Sequence, residues 1–123
     1  MLRMTTLAGR FAVCRLAADA PLPSWPAGAF VSITRTPDEL SIVCEESPVP
    51  NDVHAERGWR ALRVEGPIPF EVTGVAAGIC APLAAAGISV FLVATFDTDY
   101  VLVKAEAYGR AVEALRGSFT IDA

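Results

Sequence analysis

The residues best equipped for chemistry lie in one short string, Ala94-Thr95-Phe96-Asp97-Thr98-Asp99-Tyr100. Two carboxylates sit there in a tight turn between apolar runs. Aspartate suits turns because its side chain hydrogen-bonds the backbone just ahead. The sharper use of Asp97 or Asp99 is capture of an ammonium or guanidinium by a charge-assisted hydrogen bond. A metal would need further oxygen ligands that the spacing does not supply, so no metal is expected. A second string, Gly66 to Val75, offers the opposite polarity. Gly74 lets a ligand come close to the backbone, and the amides of Gly74, Val75 and Ala76 would open a helix and face an anion. A carboxylate there gains about 0.3–1 kcal/mol, rising to ~2 when partly buried. The bond from an ammonium adds about 1.5–3 kcal/mol. Association takes much of this back, leaving micromolar to millimolar affinity. That scale suits an effector, and no cofactor is expected. An anion site and a cation site together make a trap for a zwitterion, and a free amino acid is its natural ligand.

Other chemistries find less support. His54 is the one histidine and stands in a polar segment, so a histidine-based triad has no local signature. The phosphate-binding and zinc-protease motifs GxGxxG, GxxxxGK[ST] and HExxH are absent from the sequence. Cys14, Cys44 and Cys80 are odd in number and lack CxxC spacing, which argues against a disulfide framework or a cysteine zinc site. Three free thiols fit a reducing cytosol, and a cytoplasmic location is expected. Net charge is −4, and the bases are scattered singly, so neither nucleic acid nor an anionic membrane surface is an expected partner. Met1 to Ala20 loosely resembles a leader, but Arg10 and Arg15 interrupt its apolar stretch. Val72 to Phe96 carries no charge and could span a bilayer by length. Its Gly74, Gly78, Pro82 and Gly87, with a periodicity that switches midway, read instead as a buried helix followed by a buried strand.

These strings need elements to hold them. Strands are expected over 9–16, 30–34, 40–44, 59–65, 89–95, 100–104 and 119–121. Thr73 can cap a helix running to about Ala86, with Val75, Ile79 and Leu83 on its inner face, a kink at Pro82 and a stop at Gly87. A second helix spans 107–116, with Tyr108, Ala111, Val112 and Leu115 inward. Pro21, Pro23 and Pro26 allow at most one helical turn in 18–28, and 47–58 holds a short helix at best. The second half thus reads β-α-β-β-α-β, and the first half repeats that order with both helices stunted. Phe30–Val43 overlays Val90–Val103 at an offset of 60, give or take a residue, which sets Glu39 on Asp99.

The string Thr95-Phe96-Asp97-Thr98-Asp99-Tyr100-Val101-Leu102-Val103 resembles the CASTOR-like branch of ACT-domain proteins. Gly66-Pro67 with Phe70, Thr73-Gly74-Val75, Pro82-Leu83-Ala84 and Gly87 to Phe91 are similar to the same branch, as are Phe30–Thr34, Leu40–Cys44 and Trp59-Arg60. The resemblance covers roughly 9–122. It implies an α+β fold of two tandem ACT-like, ferredoxin-type (βαββαβ) modules, with antiparallel sheet and helices on one face. Their expected extents are 1–58, with shortened helices, and 59–123, complete. It implies a regulatory protein that binds an amino acid between neighbouring modules, arginine in some members, with no catalytic step. Asp99 would meet the ligand's cationic group, Thr95 and Phe96 would offer backbone contacts, and Gly74 would belong to the opposing loop. The strand 89–95 is apolar on both faces, Val90 and Leu92 against Phe91 and Val93, and helices cover only one face of such a sheet. A homodimer is the simplest cover for the other. The competing expectation is an ACT-like scaffold that assembles without a ligand.

Overall fold

The computed structural model describes residues 1–122, which fall into two compact units, Gly9–Trp59 and Met1–Ala8 with the chain from Arg60 onward. The first eight residues, expected with the first module, therefore pack in the unit of the second. The reason is β1 (Leu2–Thr6), a strand the sequence reading did not anticipate. Met4 is wholly buried and stands opposite Val64 on one side and Ile121 on the other.

The unit Gly9–Trp59 holds β2 (Phe11–Leu16), β3 (Ser32–Arg35), β4 (Leu40–Glu45) and the start of β5 (His54–Val64). All its pairings are antiparallel: β3 with β4, β4 with β2, and β2 with β5. Ala12, Cys14, Leu40, Ile42, Cys44 and Val49 form its core. The shortened helices expected over 18–28 and 47–58 do not form. The first segment runs as turns and coil because its prolines withhold amide donors, and the Arg35 guanidinium ties it down at the carbonyls of Ala18 and Ala20. The second ends early because β5 already begins at His54, where its backbone pairs with Arg15.

The larger unit orders its strands β8-β1-β5-β7-β6, with β6 (Phe91–Ala94), β7 (Asp99–Lys104) and β8 (Phe119–Asp122). Its helices are α1 (Val75–Ala85) and α2 (Tyr108–Leu115), the latter entered through a 3-10 turn at Ala105–Ala107. Ile79 and Leu83 of α1 and Ala111, Val112 and Leu115 of α2 share one core with Leu62, Val64, Val101 and Val103. Alternation then fixes the faces: Val101 and Val103 point to the helices, so Asp99 does too, while Arg63 and Tyr100 point away. The α1 start differs from expectation. Gly74, at φ 84°, is the N-cap, and no side chain caps the helix. Helix α1 is continuous through Pro82. It ends as the sequence suggests, at Gly87 with φ 70°. The Gly87 amide donates to the Ala84 carbonyl and the Ile88 amide to that of Leu83, a Schellman ending whose Ile88–Leu83 contact joins the core.

Candidate functional site

The turn between β6 and β7 is held by its own threonines. The Thr95 hydroxyl donates to the Thr98 carbonyl at 3.0 Å and accepts the Thr98 amide at 3.3 Å. The Thr95 amide closes the hairpin on the same carbonyl at 2.8 Å. Thr98 is itself buried, and its hydroxyl donates to the Val64 carbonyl of β5 at 2.6 Å. From the other side the Ile68 amide donates to the Asp97 carbonyl at 2.7 Å. Gly66 makes this close docking possible, since a Cβ there would lie 2.9 Å from the Asp97 carbonyl oxygen. The backbone of the acidic turn is therefore fixed, and its two carboxylates lie on a firm mount.

Two depressions flank that mount. One, of about 240 Å³, is lined by Ile68, Phe70 and Val72 from the loop, Val75 at the α1 opening, and the turn residues through Asp99. Here Val75, Thr95, Phe96, Asp97 and Asp99, all expected at a site, come together. Gly74 is not among them. It lines a neighbouring depression with Thr73, Gly78, Ser118 and Phe119. Phe70 and Phe96 stand at the rim, edge to face with ring centroids 4.8 Å apart, and both are largely exposed. Asp99 is half-buried, and the first turn of α1 carries no acid and no capping side chain. The amide end of the helix therefore keeps its partial positive charge toward an anion. The cavity is thus lined both by the half-buried Asp99 and by the first residue of a helix that no side chain caps.

The second depression, of about 380 Å³, has walls from Arg63, Gly66, Pro67, Thr95, Asp97, Thr98 and Tyr100. Sequence reasoning missed Arg63 and Tyr100. The available signal was parity: an arginine between the inward Leu62 and Val64 must face the far side of the sheet.

The hairpin of the smaller unit repeats the turn bond for bond. Thr36 caps Glu39 as Thr95 caps Thr98, through amide–carbonyl and hydroxyl–amide bonds of 2.9 and 3.1 Å. The paired ends are Arg35–Leu40 and Ala94–Asp99, so the offset is 59. The position of Asp99 is thereby taken by Leu40, not Glu39, and Leu40 is wholly buried. The first hairpin has no counterpart of that acid.

Known proteins share this architecture. A family model described as an ACT domain matches residues 54–117, just over half of the chain. The chain belongs to the ACT-domain family. Residues 9–52 match a separate model of an N-terminal domain. Within the ACT family its relatives are CASTOR-like. The human protein CASTOR3P is 32% identical over 105 residues, covering 75% of this chain and 64% of that protein. The human cytosolic arginine sensor for mTORC1 subunit 1 is 41% identical over 59 residues, or 47% of this chain and 18% of the sensor. The chain therefore spans under two thirds of the length of these curated relatives. A crystal structure of a protein from Agrobacterium tumefaciens superposes with a TM-score of 0.92 at 36% identity, covering 98% of this chain and 92% of that one. The ferredoxin-type α+β fold expected for an ACT protein is the one observed.

Proposed function

We propose that this ACT protein is a regulatory sensor of a free amino acid that performs no chemical step and needs no cofactor or metal. The observation that carries the reading is the shared cavity: Asp99 and Val75, the first residue of α1, line the same space of about 240 Å³. In this reading the ligand's cationic group meets Asp99, its carboxylate meets the first amides of α1, and the backbones of Thr95 and Phe96 flank it. Gly74 acts by giving α1 an N-cap without a side chain, which leaves those amides open. The name of the arginine sensor supports an amino acid as effector and a cytosolic setting. Among the described residues no helix is long and apolar enough to cross a membrane, and no nucleic-acid or membrane partner enters the reading.

The reading includes a homodimer. Ala61 and Leu102, on the face away from the helices, are already fully buried within the chain, so the case for a second copy rests on the edge strand β6. Phe91, Leu92 and Val93 are only half-buried there, and an open edge of this kind accepts a further strand. Light scattering on the purified protein should return twice the chain mass of 13.0 kDa.

The site is tested by titrating the twenty amino acids with thermal-shift and calorimetric readouts. At a hundredfold excess over Kd the ligand should stabilise by about 2.7 kcal/mol, a shift of many degrees. Asp99→Asn should remove that response while the variant melts within a few degrees of the parent. Silence from all twenty would leave the rival reading, a scaffold for assembly that keeps the ACT fold without a ligand.

A further inference from the structure

The larger depression shares the wall of the acidic turn with the site just proposed but opens on the other face of the sheet. Asp99 shares its face with Val101 and Val103, which pack under the helices, whereas Arg63 and Tyr100 have the opposite parity. Most of the bases here are engaged. Arg3 pairs with Asp122, Arg116 with Glu113, and Arg15, Arg35, Arg57 and Arg110 donate to carbonyls. Arg60 stacks on the Tyr108 ring. Arg63 is different: it is half-buried at a cavity wall, and among the described residues its guanidinium has no hydrogen bond and no carboxylate within salt-bridge distance. Asp97, an exposed acid of the turn, lines the same cavity, and no ion pair joins it to Arg63. Residues of opposite charge that line one space without pairing leave room for a molecule carrying both.

We infer that Arg63 and Asp97 form a second binding site, for a small α-amino acid lying with its carboxylate on the Arg63 fork and its ammonium toward Asp97. A guanidinium presents parallel donors that match a carboxylate's two oxygens, and a half-buried cation gains most from such a partner. The volume of about 380 Å³ falls in the usual range for small-molecule sites. The walls are already set, because the Thr98 hydroxyl is locked to Val64 and the Asp97 carbonyl to Ile68, so little ordering remains to oppose binding. Thr95, Asp97 and Thr98 line both depressions, while Arg63 belongs to this one and Asp99 to the other. The two sites therefore separate by mutation, and this inference does not rest on the first.

The test uses the full chain, nitrogen-15 labelled, titrated with each of the twenty amino acids and with acetate. At least one amino acid should shift the amides of Arg63, Gly66 and Tyr100 in the parent and equally in Asp99→Asn. Arg63→Gln should weaken that binding by about tenfold to a hundredfold, and acetate, lacking the ammonium, should bind at least about tenfold more weakly than the amino acid. Arg63→Lys keeps the charge and loses the fork, so an intermediate loss is expected, and this variant carries the test should the glutamine variant fail to fold. The inference is overturned if none of the twenty moves those three amides, or if binding that does move them is indifferent to Arg63→Gln and Arg63→Lys. Loss of the response in Asp99→Asn alone, with Arg63 without effect, would assign the binding to the other cavity and also overturn it.

Discussion

Single atoms decide how the acidic turn is held. The hydrogen of Gly66 faces the Asp97 carbonyl oxygen, where a methyl carbon would stand 2.9 Å away, with the Ile68 amide nitrogen at 3.1 Å. Both neighbours are backbone and are bound to each other, so neither can swing aside. Gly66→Ala should cost about 1–3 kcal/mol through overpacking, read as a lower Tm, and should weaken ligand response in both cavities together. Gly78 offers the contrast. A Cβ there meets the Phe119 ring at 3.9 Å and the Ser118 Cβ at 4.0 Å, both ordinary contacts, within α1 and without a positive φ. Gly78→Ala should therefore raise stability by about 0.5–1 kcal/mol in chemical denaturation, since alanine loses less entropy in a helix. The difference between Leu40 and Asp99 belongs to this scale as well. Two turns with one hydrogen-bond pattern differ at the next residue, a wholly buried leucine in one and a half-buried carboxylate in the other. The acids of the first turn, Asp38 and Glu39, lie within the turn itself, and only the second hairpin carries a carboxylate at the residue that follows it.

Elements position those atoms: β7 pairs with β5 along its backbone, and a buried hydroxyl ties the turn that precedes β7 to the same strand. Thr98 is the one buried polar residue among those described, and its bond to the Val64 carbonyl is 2.6 Å long. Thr98→Val fills the same space but leaves that carbonyl without its hydroxyl partner. It should cost about 1–3 kcal/mol in urea unfolding. Elements with a hydrophobic period were legible in the sequence: β2, β4, the β6–β7 hairpin and both helices of the larger unit. Those defined by backbone pairing were not. Leu2-Arg3-Met4-Thr5-Thr6 buries only Met4 completely, and its place between β8 and β5 depends on partners more than fifty residues away. His54-Ala55-Glu56-Arg57 is polar because its outward side chains meet solvent while its backbone pairs with β2. The turn acids were visible because Asp-Thr-Asp is unusual between apolar strands. Arg63 was hidden because a single arginine in a strand looks like any solvent-facing position until β7 brings Tyr100 and Asp97 beside it. The start of α1 was misjudged by one residue, since Thr73 has the better capping side chain but Gly74 alone tolerates φ 84° at the boundary.

At the scale of the molecule, the smaller unit carries a built-in reporter of its own opening. Cys14 and Cys44 lie within its core, on paired strands β2 and β4, and are closed to solvent. Burial pushes the Cys14 thiol up to about 11, with the neighbouring Cys44 adding to the rise, and burial pushes Cys44 up as well. In the unfolded chain a cysteine thiol ionises near pH 9. Below that value both states hold the proton and these thiols contribute no pH dependence. Between about 9 and 11 the unfolded state releases protons that the folded state keeps, so it binds fewer, and stability must fall as pH rises. Urea midpoints measured from pH 7.5 to 10.5 should be level up to about pH 9 and then decline. Cys14→Ala with Cys44→Ala should flatten that decline, although the cavities left behind lower the whole curve. Cys80, which is only partly buried on α1, serves as the internal control. Alkylation at pH 8 should reach it in the native protein while Cys14 and Cys44 react only as fast as their unit opens. Equal labelling of all three thiols without denaturant would show that the core of the smaller unit is not closed.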